Sequence, residues 1–181
     1  MPDFQPSLEG PRLTLRPLRA DDWAEMYAVA SDPELWAVHP ERLRYEEPIF
    51  RLFFDGALES ESALTVINKS NGRIIGSSRY LCYEPQLSEI EIGWTFLARP
   101  YWGGDYNREI KQLMLDHAFT FVDTVIFWVG VQNWRSLGAM KKIGGVLRDG
   151  RYTRALSGDQ PYVIFEITKA RYEQGGRKLV M

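Results

Sequence analysis

A strand, a glycine turn and a helix follow one another around the segment Leu97-Ala98-Arg99-Pro100-Tyr101-Trp102-Gly103-Gly104-Asp105-Tyr106-Asn107-Arg108-Glu109-Ile110-Lys111. A strand-like run, residues 90–97, leads into it, and a helical run, residues 106–122, leads out of it. Free backbone N–H groups and the dipole at a helix start attract phosphate. Because Gly103 and Gly104 have no Cβ, a ligand can approach their backbone closely. The segment is therefore predicted to bind an anion, with a plain turn as the alternative.

The composition is that of an ordinary globular chain. Of its 181 residues, 45% are apolar and 25% are charged, which suits a single domain over residues 1–181. The net charge of −2 argues against general electrostatic binding of nucleic acid or of an anionic membrane. The first residues show no signal or transmembrane run, and a single cysteine excludes an internal disulfide, so a cytoplasmic protein is predicted.

Few residues of the chain are suited to binding a metal ion. The two histidines, His39 and His117, and the one cysteine, Cys82, are far apart in the sequence, so no metal site is predicted. Cys82 lies in a strand-like run and is interpreted as a small core residue rather than a nucleophile. His117 is interpreted as structural. A loop that contains Trp36 and His39 is a candidate wall of a substrate cleft, with plain core packing as the alternative.

Hydrophobic periodicity and turn residues predict the helices and strands. The predicted strands cover residues 12–16, 63–68, 73–83, 87–97, 125–131, 146–156 and 161–168, and the predicted helices cover residues 20–31, 46–59, 106–122 and 132–143. Tight turns are expected at 71–72 and 157–159, and residues 172–181 are expected to form a flexible tail. The strand before the long helix and the buried strand after it form a βαβ unit, so these two strands should be parallel.

Four segments, in this order, carry a resemblance to a known family: residues 8–17, then Glu91-Ile92-Gly93-Trp94-Thr95, then residues 101–109, and finally Asn133-Trp134-Arg135-Ser136 with residues 142–145. The chain resembles the GNAT superfamily of acyl-CoA N-acyltransferases. Within it, the chain is similar to the branch of RimJ/RimL-type ribosomal-protein N-acetyltransferases. The resemblance covers almost the whole chain, from residue 8 to residue 168.

The resemblance implies an α/β (α+β) fold with a mixed sheet of about seven strands and about four flanking helices. Two parallel strands of that sheet should splay apart, and acetyl-CoA should lie between them as co-substrate. The resemblance assigns cofactor binding to Gly93, Trp94, Thr95, Trp102, Gly103, Gly104, Asp105, Tyr106, Asn107, Asn133 and Ser136. The pantetheine arm should pair with the backbone near Trp94, and the pyrophosphate should rest on the amides of residues 103–107.

One residue departs from the family's phosphate loop. Asp105 stands where the family commonly has its central glycine, so its carboxylate is expected close to a pyrophosphate. Asp105 is also a good N-cap residue. The glycines one residue earlier and the charge of Arg108 are expected to compensate; otherwise the affinity for CoA is weakened.

The implied reaction is direct attack of a neutral amine on the acetyl thioester. A lysine-like amine with a pKa near 10.4 is only about one part in a few thousand neutral at pH 7, whereas an α-amine is roughly a tenth neutral. Glu91 and Glu89 are the candidate bases, Glu91 first, if burial raises their pKa, and solvated strand carboxylates are the alternative. Ser136 matches the serine that the RimL-like branch uses to protonate the thiolate, with a backbone-bonding helix residue as the alternative.

Three functional hypotheses remain open from the sequence. The first is an N-acetyltransferase that acts on a protein N-terminal α-amine or on a small-molecule amine, as a monomer or homodimer. The second is a non-catalytic module of the same fold that binds CoA or a protein partner, and the third is an unrelated α/β domain. Candidates for the acceptor end of the site are Arg79, Tyr80, Tyr83, Tyr152 and Arg154.

Overall fold

The computed structural model describes residues 1–150, 152–154 and 160–175. Its strands are β1 (Leu8–Glu9), β2 (Leu13–Pro17), β3 (Ala63–Asn68), β4 (Arg73–Glu84), β5 (Glu89–Leu97), β6 (Thr124–Gly130), β7 (Val146–Leu147), β8 (Tyr152–Thr153) and β9 (Pro161–Thr168). Its α-helices are α1 (Trp23–Ala30), α2 (Pro33–Trp36), α3 (Glu47–Glu59), α4 (Tyr106–Ala118), α5 (Trp134–Lys142) and α6 (Lys169–Gly175). Short 3-10 turns lie at Ala20–Asp22, Arg42–Tyr45 and Arg99–Tyr101.

One mixed sheet contains all of these strands. Its order is β1-β2-β3-β4-β5-β6-β9-β7, and β8 pairs with β9. Strands β5 and β6 run parallel, while the other paired strands run antiparallel. The predicted α/β class and the parallel pair made by a βαβ unit are therefore confirmed. The short strands β1 and β8 and the short helices α2 and α6 bring the numbers of strands and helices above those expected.

The two parallel strands separate soon after they meet. They pair at three consecutive positions, the last of which joins Glu91 to Ile126. Beyond that point β5 stays paired with β4 as far as Leu97, and β6 stays paired with β9 as far as Gly130. The facing edges of β5 and β6 are consequently unpaired with each other, and a wedge opens between them.

Helices cover the sheet on both faces. One apolar cluster packs the strands against α4, α5 and α6, and a second packs them against α1, α2 and α3. Neighbouring strand residues alternate between the two clusters: Phe96 belongs to the second and Leu97 to the first. This alternation is what a pleated strand with both faces buried produces.

A buried carboxylate fixes the start of α4 to the N-terminal part of the sheet. Glu109 is 7% exposed, and its Oε1 accepts hydrogen bonds from the backbone N–H groups of Arg12 and Leu13, each at 2.9 Å. A carboxylate that accepts two backbone N–H bonds is well compensated for its burial. The helix start is therefore held to β2 by a contact that spans 96 residues of sequence.

The predicted boundaries differ from the structure in the last part of the chain. Helix α4 ends at Ala118 instead of residue 122, and the predicted strand 146–156 is broken into β7 and β8, with Gly150 at φ +127° between them. The expected turn at 157–159 lies outside the described residues. Of the expected flexible tail, residues 172–175 belong to α6 with Tyr172 buried, and residues 176–181 lie outside the described part.

The interpretation of Cys82 as a core residue is wrong. Its side chain is exposed. The residue has φ +48°, and the pairing of β4 with β5 shifts register between Leu81 and Glu84. This irregularity turns Cys82 away from the core, which a regular strand would not do.

Candidate active site

The wedge between β5 and β6 contains a cavity of about 470 Å³. Its walls come from the diverging strands, the turn before α4, the first two turns of α5 and the loop around α2. Residues of β5 and β6 that line it are Ile92, Gly93, Trp94, Thr95, Phe96, Leu97, Phe127, Trp128, Val129 and Gly130. The volume and the mixture of apolar and polar walls are typical of a small-molecule site.

A bulge interrupts β5 inside the wedge. Gly93 pairs with Arg79 and Phe96 pairs with Ser77, so β5 has one residue more than β4 over this stretch. Trp94 takes up the extra residue with φ +50°. A Cβ on Gly93 would lie 2.9 Å from Oε1 of Glu91, so a larger residue at this position would displace the carboxylate of Glu91. The bulge therefore lies at Gly93 and Trp94, with the positive φ on Trp94.

Six successive backbone N–H groups, those of residues 103–108, donate no hydrogen bond to any described residue. They lie around the start of α4, a helix of 13 residues. The next N–H along the chain, that of Glu109, donates to the carbonyl oxygen of Asp105. Gly103 has φ +73° and nothing lies within 4 Å of the position of a Cβ on it. Unpartnered amides at the positive end of a helix dipole form an anion site.

The side chain of Asp105 does not cap α4, although the residue occupies the N-cap position. Its carboxylate instead contacts two arginines, Arg108 at 3.3 Å and Arg12 at 3.4 Å. The compensation by Arg108 that the sequence suggested is therefore present, and Arg12 adds to it. These are exposed ion pairs, so each contributes little to stability.

Trp102 forms the floor of the turn. Its Nε1 donates to the backbone oxygen of Leu97 at 2.6 Å, and the guanidinium carbon of Arg135 lies 3.7 Å from the centre of its ring. Tyr106 packs edge-on against Tyr101, and Asn107 lines the cavity.

Helix α5 begins at the mouth of the cavity. Asn133 is 6% exposed and caps the helix, because its Oδ1 accepts the backbone N–H of Ser136 at 3.2 Å. Ser136 lines the cavity, and its hydroxyl donates no hydrogen bond to the part of the chain that the structure describes. The alternative in which this hydroxyl bonds the helix backbone is not what the structure shows.

The carboxylate of Glu91 is buried beneath an arginine rather than open to the cavity. It is 1% exposed, and Arg154 contacts both of its oxygens, with Nη1 at 3.0 Å from Oε1 and Nη2 close to Oε2. Burial raises the pKa of Glu91, and the charge and hydrogen bonds of Arg154 act in the opposite direction. As placed, both oxygens of Glu91 are engaged by Arg154, which opposes the use of Glu91 as a base.

Glu89 lies farther from the cavity, beside the paired end of β5. Its carboxylate is bonded to Arg148 at 2.6 Å, and Arg148 also contacts Glu166 at 2.7 Å. The hydrogen bond to Glu89 raises the pKa of Arg148. Both oxygens of Glu89 face Arg148, which suits a structural role.

Arg154 lies between two tryptophans that face each other across the wedge. Its guanidinium carbon is 4.6 Å from the ring centres of both Trp94 and Trp128. Tyr152 packs edge-on against Trp128. Two of the other candidates for the acceptor end lie elsewhere: Tyr80 is fully buried, with its hydroxyl donating to the backbone oxygen of Met114, and Tyr83 packs against two phenylalanines.

His39 lines the cavity, as its loop position suggested, but it is not a ready base. Burial, and then the charges of Arg44 and Arg135, lower its pKa to about 3, so the ring is neutral at pH 7. The backbone N–H of Glu41 donates to its Nδ1 at 2.9 Å, and Nη1 of Arg44 lies 3.5 Å from its Nε2, so donors face both ring nitrogens. His117 contacts the backbone oxygen of Asp3 instead, in keeping with a structural role.

Lys111 is the charged side chain in the wedge that the sequence did not single out. It is 3% exposed, lines the cavity, and its Nζ donates to Oγ1 of Thr95 at 2.5 Å. Burial lowers its pKa to about 7. The sequence contains a pattern that could have identified Lys111. Positions 110, 111, 114, 115 and 118 have the spacing of one helix face and are buried in α4, and Lys111 is the charged residue among them.

Neither a metal centre nor a membrane span is found in the residues described. No three His, Cys, Asp or Glu side chains among them are grouped so as to hold a metal ion. None of the helices over the described ranges is both long and apolar enough to cross a bilayer.

The fold and the wedge define an acyltransferase. The sequence matches the family described as the acetyltransferase (GNAT) domain over residues 12–146, so the chain belongs to that family. The resemblance stated above to the GNAT superfamily is thereby confirmed. A comparison of the sequence with curated proteins gave no match.

Solved structures of the same fold include a GCN5-related N-acetyltransferase from Brucella melitensis, which is 19% identical, with 93% of this chain and 81% of that chain covered and a TM-score of 0.82. RimJ of Mycobacterium smegmatis in complex with CoA-disulfide is 19% identical, with 98% of each chain covered and a TM-score of 0.69. Spermidine N-acetyltransferase of Vibrio cholerae in complex with CoA and spermine is 17% identical, with 91% and 99% covered and a TM-score of 0.67. At these identities the likeness shows a shared fold.

Proposed function

We propose that the protein transfers an acetyl group from acetyl-CoA to a primary amine by direct attack of the amine on the thioester. One observation carries the proposal: the six unpartnered amides of residues 103–108 stand at the start of α4, where the wedge between β5 and β6 opens. A diphosphate fits such a site, because each amide donates a hydrogen bond and the helix dipole favours negative charge. When bound, acetyl-CoA supplies an activated acyl group at the other end of the wedge.

The diverging strands suit the pantetheine arm. The edge of β5 beyond Glu91 has backbone groups without a partner on β6, and the arm carries two amides of the kind that pair with a strand. The bulge at Trp94 lies on this edge, among the residues that the resemblance assigns to the pantetheine arm. The fit of both regions supports a CoA thioester over a shorter acyl phosphate.

The acceptor is proposed to be an amine with a low pKa, which loses its proton at a small free-energy cost near pH 7. Glu91 is paired with Arg154, and donors face both ring nitrogens of His39, so neither takes a proton readily. Freeing a lysine-like amine at pH 7 costs on the order of 4–5 kcal/mol, whereas an α-amine costs about 1 kcal/mol. A protein N-terminal α-amine or a small molecule with a weakly basic amine therefore suits the site.

Calorimetry with acetyl-CoA tests the first half of the proposal. We expect one molecule bound per chain with a micromolar dissociation constant. Thiol release with a panel of peptides, amino acids and aminoglycosides tests the second half. Binding without turnover across that panel would favour a non-catalytic module, and the absence of heat at millimolar acetyl-CoA would reject the acetyltransferase.

Gly103→Ala is expected to weaken the binding of acetyl-CoA about tenfold. A residue with a Cβ at φ +73° costs about 1–2 kcal/mol, and the loop relieves that strain by moving the amides. The matched control is Gly72→Ala, since Gly72 has φ +68° and free space at the tip of the β3–β4 hairpin, away from the cavity. Both variants should lose similar stability, but only the first should lose affinity; equal affinity in the two would contradict the assignment.

Asp105→Asn is expected to tighten the binding of acetyl-CoA by roughly threefold to tenfold at low salt. The substitution removes a negative charge beside the diphosphate and releases Arg12 and Arg108 to face it. Asp55→Asn, an exposed position on α3 outside the cavity, makes the same change of charge elsewhere. A dissociation constant that rises in Asp105→Asn would show that the carboxylate contributes to binding.

A further inference from the structure

A buried lysine stands in the wedge without a counter-charge. Lys111 is 3% exposed and lines the cavity, and among the described residues it forms no ion pair. Its Nζ contacts the hydroxyl of Thr95 at 2.5 Å and the ring of Phe127, whose centre is 5.5 Å away. An ammonium so placed is costly for folding, which makes it a candidate for a role in the reaction.

The neighbours of Lys111 fix its position along the wedge. Thr95 follows the bulge residue Trp94 directly, and Phe127 is the first residue of β6 beyond the last parallel pair. An acyl end beside this bulge lies about one residue step, roughly 3 Å, from Thr95. The hydrogen bond to Thr95 holds the ammonium at this part of the wedge.

The ammonium of Lys111 has hydrogen-bond donors that no described residue uses. It carries three N–H groups, and within the described chain a single hydrogen bond, the one to Thr95, engages it. The Thr95 hydroxyl is itself 2.7 Å from the hydroxyl of Ser78, so Ser78 helps to fix the position of the group that Lys111 contacts. At least one N–H of Lys111 therefore remains for a group in the cavity.

We propose that Lys111 protonates the thiolate that leaves when the amine attacks the thioester. The inference rests on the proposed function. The amine nitrogen forms a bond to the carbonyl carbon, the carbon–sulfur bond breaks, and its electron pair stays on sulfur. A proton of the Lys111 ammonium moves to the sulfur and gives the free thiol. The attacking nitrogen loses one proton to solvent, and solvent returns one to Lys111, so the protons balance.

The acidity of the group suits this step. Burial lowers the pKa of Lys111 to about 7, below the pKa near 8.5 of an ordinary thiol, so transfer to a thiolate is downhill. Ser136 is the competing donor in the cavity. Its hydroxyl is far less acidic than a thiol, so it can hold a hydrogen bond to the sulfur but transfers no proton without help.

The decisive measurement is the pKa of the thiol of bound CoA, followed by thiolate absorbance across pH. Lys111 and the thiol share a proton, so in the wild type thiolate should begin to form near pH 7, where Lys111 titrates, and in Lys111→Met its formation should move to higher pH. The matched control is Lys142→Met, which removes an exposed lysine from the rim of the same cavity and should leave the thiol pKa unchanged. Ser136→Ala should shift it less than Lys111→Met.

Steady-state kinetics with any acceptor found in the panel give the second readout. Lys111→Met should lower kcat about a hundredfold with little change in KM for acetyl-CoA, as expected for loss of a general acid. An equal thiol pKa in the wild type and Lys111→Met, with CoA bound to both, would overturn the role of Lys111 alone. Failure of the wild type to bind CoA would instead reject the proposed function.

Discussion

Lys111→Met is expected to stabilise the fold below pH 7 by on the order of 3 kcal/mol. In the wild type the folded state must bury an ammonium that water solvates in the unfolded chain. Its pKa is about 7 in the folded state, against an unfolded value near 10.4, so below pH 7 the whole burial cost is present. As pH rises from 7 to about 10, the folded lysine becomes neutral first, the stability of the wild type increases, and the advantage of methionine shrinks.

Urea unfolding of the two proteins at pH 6 and pH 9 measures this difference. The free energies of unfolding should lie farther apart at pH 6 than at pH 9. Lys142→Met provides the control, because this lysine is exposed and its loss should have the same small effect at either pH. A difference that is constant with pH, or a less stable methionine variant at pH 6, would show that the ammonium is better solvated than its burial indicates.

The second large effect is expected from Arg154→Met, which should destabilise the fold by about 3–5 kcal/mol. The substitution leaves the carboxylate of Glu91, 1% exposed, without its partner. Burial already raises the pKa of Glu91, and loss of the arginine raises it further. A raised folded pKa favours the protonated form, so the loss should be greatest near pH 8 and should decrease on acidification towards the ordinary glutamic acid pKa near 4.3.

Two further variants separate this effect from lost packing between the tryptophans. The double variant Glu91→Gln/Arg154→Met has no buried charge and should recover a large part of the stability. Arg148→Met removes the partner of Glu89, whose side chain is 13% exposed, and should cost less. If Arg154→Met were no more damaging than Arg148→Met, the pair between Glu91 and Arg154 would have to be regarded as solvated.

The elements that the sequence predicted well are those with a strong local signal. The helix over residues 47–59 and the strand over residues 63–68 lie where periodicity placed them. The parallel pair followed from the order of strand, helix and strand, because such a crossover leaves few alternatives. Boundaries near the end of the chain failed where short strands are divided by glycine at positive φ, a feature that periodicity does not report.

The sequence predicted the backbone groups of the site, but it did not predict the contacts between its side chains. The amides of the turn before α4 follow from glycines between a strand and a helix. The pairing of Glu91 with Arg154 depends on residues 63 positions apart, one on β5 and one directly after β8, and on the order of strands β5, β6, β9 and β8 in the sheet. No local pattern shows that an arginine covers the candidate base. The sequence shows Lys111 as a charged residue among the apolar residues of α4. Its role in the reaction is suggested only by the cavity between β5 and β6 that it lines.

The bond between Glu109 and the backbone of β2 has a practical consequence for handling the protein. The amides that face the cavity are steadied by peptide groups of Arg12 and Leu13, although neither residue lines it. We expect that removing the first dozen residues, or fusing a purification tag that disturbs them, would loosen the turn before α4 and lower the proposed affinity for acetyl-CoA. Recombinant versions intended for ligand studies are best extended at the C-terminus, leaving the amino end as it stands.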